Sequence, residues 1–351
     1  MSSRVLITGA QGFVGRYAVA HWLESEPGVA IAGIGRSRQL SRSFTHSVEW
    51  KGVRRRAPIP HELRRAIASE RYRYVRLDLR DRPRLVDLLK DFRPSVILHL
   101  AGALRDEPTG RLFSLNVLGT ESLFEAIADA AVDPPIVVLG STGSLYGNVP
   151  AERLPIREEE PPAPFDPYSV SKVAAEGMAR ILSARHGVPT VYARIFAVVG
   201  PGQDERHLCG WLARQMVAMS IGSQSSLLVG PLDTTRDFID VRDVARALRV
   251  LALRGAPGVI YNVGSGIETP TQHVFDQLLE LAELDVNVPI TPRAGRPADC
   301  RRLFPDVRRL HALGHAPAVH LRQSLCDVLR YYAGTIAAQG PQGYRASGAP
   351  P

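Results

Sequence analysis

The sequence is poor in cysteine, with Cys209, Cys300 and Cys326 among 351 residues. The number is odd, the three are far apart, and no C-x-x-C pair occurs, so neither a disulfide framework nor a cysteine zinc site is expected. No group of His, Cys and carboxylate residues has the spacing of metal ligands, and we expect no metal. Free thiols suit a reducing compartment, so the sequence predicts a cytoplasmic protein.

Long hydrophobic runs are also missing. No apolar stretch approaches the ~18 residues that a membrane-spanning helix needs, and no membrane partner is expected. The first segment, MSSRVLITGAQGFVGRY, reaches a glycine-rich loop too early for a signal peptide. With 45% hydrophobic and 22% charged residues, the composition is that of a globular protein whose length suits roughly two domains.

Acidic residues are outnumbered, since 43 Lys and Arg against 35 Asp and Glu give a net charge of +8. Much of the excess comes from a basic cluster, whose members are Arg54, Arg55, Arg56, Arg64, Arg65, Arg71, Arg73 and Arg76. Such a cluster can attract an anionic partner. No aromatic residues interleave with it, however, as they would in a single-strand binder. We therefore expect a solvated basic face and no nucleic-acid partner.

Strand-like and helical patterns alternate through the first half of the chain. Buried β-branched runs predict strands at 4–9, 29–35, 72–78, 95–101, 135–141 and 189–196. Apolar periodicity predicts helices at 13–25, 82–92, 112–131 and 168–186. Strict alternation predicts βαβ units, and hence an α/β fold with a doubly wound parallel Rossmann sheet over residues 1–195.

The pattern changes after Gly200, where shorter strands mix with helices. A smaller α+β substrate lobe is expected over residues 196–334. Residues 37–70 form a long arginine-rich insertion, with one helix near 61–69, of a kind that often serves as a lid or is disordered. The Pro/Gly-rich tail, taken as 335–351, is expected to be disordered.

The segment TGAQGFVG lies between the first strand and the first helix. Gly9 permits a tight turn, Gly12 lets the backbone approach a pyrophosphate, and Gly15 lets the helix pack closely on the sheet. The pyrophosphate would lie at the positive N-terminus of the helix. In this context the motif predicts a dinucleotide site. The loop residues assigned to it are Gly9, Gln11, Gly12, Phe13, Val14 and Gly15.

The end of the second strand indicates which dinucleotide is bound. NAD binders place an acid there for the ribose 2′-hydroxyl, whereas an arginine accommodates the 2′-phosphate of NADP. Here the segment is GIGRSR, with Arg36, Arg38 and no acid. Two guanidiniums can pair with the phosphate, so NADP(H) is preferred and NAD(H) is left open. The alternative is that Arg36 merely belongs to the basic insertion.

DPYSVSK places Tyr168 and Lys172 one turn apart on one face of a helix. A phenol with a pKa of about 10 is a poor acid–base catalyst at neutral pH, and a nearby ammonium would lower that pKa. The strand at 135–141 would end beside this helix, at the edge of the sheet where ligands bind in such folds. There Thr142 could hydrogen-bond the substrate oxygen whose proton Tyr168 transfers.

Together these motifs resemble the extended short-chain dehydrogenase/reductases of the NAD-dependent epimerase/dehydratase family that act on nucleotide sugars. The resemblance runs from about residue 4 to about residue 330. Its further motifs are HLAG (99–102), NVLGT (116–120), STGSLYG (141–147), RIFAVVGPGQ (194–203) and TRDFIDVRDVARA (235–247).

The resemblance implies roles for individual residues. The implied catalytic residues are Thr142, Tyr168 and Lys172. Tyr168 and Lys172 are also implied to contact the cofactor, and Lys172 would hold the nicotinamide ribose. Further cofactor contacts are implied for Asp78, Leu79, Leu100, Ala101 and Gly102. Substrate contacts are implied for Gly143, Ser144, Arg236 and Arg296, the two arginines at the diphosphate. Asn116 is implied to support the backbone. A non-catalytic redox sensor on the same fold is disfavoured because the catalytic residues are all present.

Acidic residues are missing where dehydratases of the family carry them, two positions after the Thr142 equivalent. Abstracting a proton from carbon beside a ketone needs a base, and Gly143 and Ser144 cannot serve, so dehydration is disfavoured. A 4-ketoreductase that consumes NADPH and a 4-epimerase that retains NAD remain, and Arg36 favours the reductase. The lack of a side chain at Gly143 is expected to leave room for a substrate group.

Within the family, the segments around STGSLYG, GPGQ and TRDFIDV are most similar to GDP-6-deoxy-4-keto-D-mannose reductases. In those relatives Phe-Asn-His follows the Arg194 equivalent, whereas this chain has Phe196, Ala197 and Val198. The resemblance also implies a homodimer in which helices 112–131 and 168–186 of two subunits form a four-helix bundle.

Overall fold

The computed structural model describes residues 3–38, 40–50, 53–293 and 300–337. The strands are β1 (Arg4–Thr8), β2 (Ala30–Gly35), β3 (Ser43–Trp50), β4 (Val53–Pro58), β5 (Tyr72–Arg76), β6 (Val96–His99), β7 (Ile136–Thr142), β8 (Thr190–Ile195), β9 (Ala197–Val199), β10 (Leu227–Val229), β11 (Thr235–Arg236), β12 (Phe238–Asp240), β13 (Ile260–Val263), β14 (Thr269–Pro270), β15 (Ile290–Pro292) and β16 (Arg302–Leu303). The helices are α1 (Phe13–Ser25), α2 (His61–Ile67), α3 (Arg82–Phe92), α4 (Thr109–Asn116), α5 (Leu118–Ala130), α6 (Pro167–His186), α7 (Leu208–Ser220), α8 (Val241–Arg254), α9 (Thr271–Leu281), α10 (Arg308–His311) and α11 (Leu321–Ala337).

A seven-stranded sheet forms the centre of the molecule, in the order β13-β8-β7-β6-β1-β2-β5. All of its neighbouring strands are parallel. The order reverses at β1, which has β2 on one side and β6 on the other. At such a point the carboxyl ends of the strands open a crevice for ligands. The predicted α/β fold with a doubly wound parallel sheet is confirmed.

The central strands are apolar on both faces because helices cover both. In β1, Val5 and Ile7 point into a core shared with α1 and α8, while Leu6 points into a core shared with α3, α5 and α6. Successive strand residues face opposite sides of a sheet, so burial on both sides requires an unbroken apolar run. That run is what made β1 recognisable in the sequence.

The second half of the chain returns to the sheet. We predicted a division after residue 195, yet β13 is an edge strand of the central sheet and α8 packs on its face. A separate core joins α7, α9 and α11 with short strands such as β10 and β12. The long helix predicted at 112–131 is interrupted at Val117, where α4 ends and α5 begins.

The insertion at 37–70 is folded over its described residues. Strands β3 and β4 pair as an antiparallel hairpin, and α2 follows near the predicted helix. Phe44, Val48 and Trp50 are buried in the core that contains α7 and α11. We did not predict the hairpin, because three consecutive arginines in β4 obscure the alternation of a strand.

The C-terminal region corrects one boundary. Helix α11 extends to Ala337, so residues 335–337, which we assigned to a disordered tail, are helical. The rest of the tail lies outside the described residues. Cys209, Cys300 and Cys326 form no disulfide among the described residues. In the described part of the chain, no helix is both long enough and apolar enough to cross a membrane.

Candidate active site

The glycine loop joins β1 to α1 with no room for larger residues. Gly9 has a φ of +69°, and its N–H donates to Ile34 O at 3.0 Å. A Cβ on Gly9 would lie 2.9 Å from Ala101 Cα, and one on Gly15 would lie 2.4 Å from Gly9 O. The loop therefore presses against the end of β6 and against the start of α1. Leu100 and Ala101 complete this contact by donating their N–H groups to Thr8 Oγ1, both at 3.0 Å.

Helix α1 offers unused backbone donors at its start. Its N-cap is Gly12, and no side chain caps the first turn. The first N–H groups of a helix lack partners within the helix and attract anions. Phe13 and Val14 are half-buried and contribute N–H groups of this kind. A dinucleotide pyrophosphate fits this site, because the glycines clear a path for it and the helix supplies the donors.

Two arginine-lined cavities flank the end of β2. The adenine-side cavity, of about 540 Å³, is lined by Arg36, Arg76, Leu77, Asp78, Asp81 and Arg84. The hairpin-side cavity, of about 340 Å³, is lined by Gln11, Ser37, Arg38, Ser41, Ser43, Phe44 and Arg56. Hence Arg36 and Arg38, which the sequence grouped together, line different cavities.

The residues predicted to contact adenine differ in exposure. Asp78 lines the adenine-side cavity and accepts from Arg80 Nη2 at 2.7 Å, and this pairing lowers the pKa of the Asp78 carboxyl to about 2. The side chain of Leu79 is instead buried in the core beneath the sheet. Any contact from Leu79 to a cofactor would therefore come from its backbone.

Helix α6 begins where its sequence dictates. Asp166 caps it by accepting from Ser169 N at 2.7 Å, and Pro167 follows in the first turn, where a missing N–H is harmless. The helix is tied to β7 by Lys172, whose Nζ donates to Gly140 O at 2.6 Å. Burial lowers the pKa of the Lys172 ammonium to about 8. Tyr168 and Lys172 therefore lie beside the carboxyl end of β7.

The electrostatic surroundings of Tyr168 differ from our expectation. Burial raises the pKa of its phenol, while Arg105 and a hydrogen bond from Thr142 lower it by less. We expected Lys172 to lower this pKa, but the ammonium is engaged with the strand carbonyl instead. Arg105 lies 5.8 Å from the centroid of the Tyr168 ring and pairs with Asp166 at 3.1 Å. The phenol is thus held in its protonated form.

Thr142 belongs to a small network of hydroxyl groups. Its Oγ1 lies 3.0 Å from Ser144 Oγ, which lies 3.3 Å from Ser169 Oγ. Ser144 is buried and engaged within this network. The network contains only hydroxyl groups, so it can orient an oxygen atom but cannot abstract a proton from carbon.

Gly143 does not leave room for a substrate group, contrary to our prediction. A Cβ at this position would lie 2.8 Å from two atoms of the Phe196 ring. Phe196 packs with Tyr146, Leu145 and Ile156 in a small buried core. The space beside Gly143 is therefore filled by the aromatic ring, and glycine is needed because the ring is there.

A buried polar chain connects the glycine loop to α6. His99 bridges Thr8 Oγ1 (2.9 Å) and Thr120 Oγ1 (3.0 Å), and Thr120 donates to Asn116 O at 2.6 Å. The Asn116 amide then donates to Ser171 Oγ at 2.9 Å. Burial lowers the pKa of His99 to about 3, so its imidazole is neutral.

Asn116 supports the cofactor cleft from below. Its Oδ1 accepts from Ala103 N at 2.8 Å. A Cβ on Gly102 would lie 2.9 Å from the same oxygen, so the HLAG segment passes directly over the amide.

Of the two predicted substrate arginines, Arg236 is within the described residues. Arg236 belongs to β11, in a three-stranded sheet with β14 and β16. Its Nη1 donates to Thr235 O at 2.7 Å. The adjacent Asp237 is buried and accepts hydrogen bonds from the 265–267 turn, which fixes this strand. Arg296 lies outside the described residues.

Sequence reasoning missed three residues of the site. Arg105 follows HLAG in a segment with no recognisable pattern, so no sequence signal could have found it. Glu176 and Arg194 form a buried ion pair, with Arg194 Nη2 donating to Glu176 Oε2 at 2.8 Å. The i, i+4 spacing from Lys172 to Glu176 was the available signal. Among the described residues, no three His, Cys, Asp or Glu are grouped to hold a metal ion.

The chain is similar to a family of known proteins and to individual relatives. Residues 5–264 match the model of the NAD dependent epimerase/dehydratase family. The chain is 32% identical to GDP-6-deoxy-D-mannose reductase of Pseudomonas aeruginosa over 94% of this chain and 97% of that protein.

The chain is also similar in fold to solved structures. The structure of RMD from Pseudomonas aeruginosa complexed with NADPH superimposes with a TM-score of 0.76 at 31% identity, covering 95% of this chain and 100% of that one. UDP-glucose 4-epimerase of Thermus thermophilus in complex with NAD gives 0.75 at 27% identity, covering 94% and 99%.

Proposed function

The chain belongs to the NAD dependent epimerase/dehydratase family and is an NAD(P)-dependent enzyme of oxidoreductase type; from this premise we propose that it is a nucleotide-sugar 4-ketoreductase. Its substrate would be a GDP-6-deoxy-4-keto-hexose, whose C4 ketone becomes an alcohol. The observation that carries the proposal is the network of hydroxyls at Thr142, Ser144 and Ser169, beside Tyr168, which contains no carboxylate.

The direction in which burial shifts the pKa of Tyr168 is compatible with reduction. Reduction begins with a tyrosine that donates a proton to the developing alkoxide, so a protonated phenol is the form required. Epimerisation and dehydration both begin by oxidising an alcohol, for which a tyrosinate base is needed. Dehydration would further need a carboxylate near Thr142, where the chain has Gly143 and Ser144.

The catalytic residues have separate tasks in this mechanism. A nicotinamide cofactor held by the glycine loop and the start of α1 would provide the chemistry of hydride transfer. Thr142 and Tyr168 would both hydrogen-bond the C4 oxygen, and Tyr168 would pass its proton to that oxygen as negative charge develops. Lys172 would place an ammonium beside the ribose and help return a proton to Tyr168 from solvent. The Ser144–Ser169 pair would keep the Thr142 hydroxyl oriented.

NADP(H) is the cofactor that the described residues fit better. No acid follows β2 at the position where NAD binders carry one. The RMD structure with NADPH, at 31% identity, supports this choice. The NAD complex of the related epimerase keeps NAD(H) as the second option.

The substrate would lie between the sheet edge and the elements of residues 196–334. Arg236 would bind the diphosphate, since β11 and the Asp237-anchored turn hold it in a fixed position. Phe196 and Gly143 would form a flat wall beside the sugar. Arg296, assigned to the same diphosphate, lies outside the described residues.

A homodimer through α5 and α6 would suit the exposed apolar side chains of these helices. Leu118, Val170 and Ile181 are 50%, 40% and 58% exposed. Large apolar residues exposed together often mark a subunit interface. Light scattering on the purified protein would give about twice the chain mass if the bundle forms.

The experiment that tests the function follows NADPH oxidation with GDP-6-deoxy-4-keto-D-mannose as substrate. We expect turnover with NADPH and weaker turnover with NADH. In Tyr168→Phe we expect turnover to fall by about 10²–10⁴-fold. If neither cofactor is oxidised by the wild-type protein, the reductase assignment is wrong. Epimerisation would then be tested by extracting the purified protein for tightly bound NAD.

A further inference from the structure

The hairpin of the insertion is bonded directly to the cofactor loop. Gln11 Oε1 accepts from Ser41 N at 3.1 Å and from Arg16 Nη2 at 2.8 Å. The same Arg16 nitrogen donates to Ser43 O at 3.0 Å. Phe44 packs edge-on against Phe13, with ring centroids 6.1 Å apart. The start of the hairpin is therefore a fixed wall beside the glycine loop.

The hairpin-side cavity lies between this wall and the end of β2. It has two arginines, Arg38 and Arg56, and three serines. No carboxylate is among the described residues that line it. Arg56 comes from β4, and its guanidinium donates to Thr45 O, which holds it on the hairpin. These are the groups that recognise a phosphate: cations and hydroxyl donors without a competing anion.

A buried cation behind the cavity provides independent support. Arg16 is 1% exposed, and its Nε and Nη1 have no hydrogen-bond partner among the described residues. No carboxylate within the described ranges pairs with it. A buried charge without a counter-charge is costly. An anion in the neighbouring cavity would offset that cost, because Arg16 contacts three residues of the cavity wall.

The position of the cavity identifies the anion. Strands β1 and β2 are neighbours in parallel, so the glycine loop and Ser37 meet at one edge of the sheet. In a Rossmann fold the end of the second strand reaches the 2′ position of the adenosine ribose. The adenine-side cavity is less suited to a dianion, because two carboxylates, Asp78 and Asp81, line it together with its three arginines.

We propose that the hairpin completes the 2′-phosphate subsite, with Arg38 and Arg56 binding the phosphate while Arg36 faces the adenine. This inference deepens the proposed function by assigning cofactor selection to a segment outside the glycine loop. The inference rests on the proposed function only in taking NADP(H) as the cofactor. The insertion would then be part of the cofactor site rather than a lid over the substrate.

The test measures binding of two small probes by calorimetry, 2′,5′-ADP and 5′-AMP, which differ only in the 2′-phosphate. We expect Arg38→Gln and Arg56→Gln each to weaken 2′,5′-ADP about tenfold or more and to leave 5′-AMP unchanged. Arg55→Gln is the matched control, since it removes the same charge from the opposite face of β4. It should leave the binding of both probes unchanged. Thermal melts of the variants would check that each is folded.

Two results would overturn the proposal. Equal losses of affinity for 2′,5′-ADP in Arg55→Gln and Arg56→Gln would mean that the overall positive charge of the hairpin, and not a contact from Arg56, binds the phosphate. Loss of the 2′-phosphate preference in Arg36→Gln alone would put the phosphate in the adenine-side cavity. A protein that keeps its preference for 2′,5′-ADP but fails to reduce any keto sugar would instead refute the reductase function and leave the subsite standing.

Discussion

Breaking the buried Glu176–Arg194 pair tests how the site is supported. The two side chains are 6% and 4% exposed and are joined by two hydrogen bonds of 3.1 and 2.8 Å. Glu176→Gln removes the carboxylate charge and leaves the Arg194 guanidinium buried without a counter-ion. Removing one partner of a buried pair costs about 3–5 kcal/mol. That is a large share of the roughly 5–15 kcal/mol by which domains are stable.

The assay is urea denaturation, comparing the single variant with Glu176→Met/Arg194→Met. Replacing a buried pair with apolar residues of similar volume is often neutral. The double variant should therefore recover most of the stability lost in the single one. In the double variant the new side chain would pack on the Tyr146 ring, which lies 4.7 Å from the Arg194 guanidinium. A loss below about 1 kcal/mol in Glu176→Gln, or no recovery in the double variant, would refute this reasoning.

The same substitution bears on catalysis. The Glu176 carboxylate raises the pKa of Lys172, although burial lowers it by more. Glu176→Gln should thus move the pKa of Lys172 further below its value of about 8. In a plot of kcat/KM against pH, the fall on the alkaline side should therefore move to lower pH. An unshifted limb in a folded variant would mean that Glu176 does not act on Lys172.

The other predictions concern Lys172, Tyr168 and the contact between Gly143 and Phe196. Lys172 loses its proton as the pH rises through about 8, so kcat/KM for reduction should fall above that pH. Lys172→Met should be slower than the wild type, and its kcat/KM should not change with pH in that range. A wild-type profile that is level to pH 10 would contradict this. Tyr168→Phe should lower kcat by about 10²–10⁴-fold without weakening NADPH binding measured by fluorescence. Gly143→Ala should cost ~1–3 kcal/mol through its clash with Phe196, measured by thermal unfolding, and Phe196→Leu should relieve it. Additivity of those two changes would count against the clash.

The parts of the fold that the sequence predicted are those with a strong local signal. Strand β1 is an unbroken apolar run, and the glycine loop follows it with fixed spacing. Lys172 lies four residues after Tyr168, and a shared helix face made their neighbourhood predictable. In each case the feature depends only on residues that are close together in the sequence.

What the sequence missed depends on distant contacts. The space at Gly143 is filled by Phe196, which is 53 positions later and gives no sign of its direction. Burial, not Lys172, dominates the pKa of Tyr168, and burial is a property of the whole fold. The hairpin β3–β4 was hidden by the arginines of β4, whose charges resemble those of a solvated loop.

The most direct test of the reductase function is deuterium transfer from NADPH labelled at C4 of the nicotinamide. The account predicts that GDP-6-deoxy-4-keto-D-mannose is converted to a product with one deuterium at C4 of the sugar for each NADPH consumed. Tyr168→Phe should form the labelled product about 10²–10⁴-fold more slowly. A sugar product that forms without deuterium and without net NADPH consumption would contradict the account and indicate epimerisation.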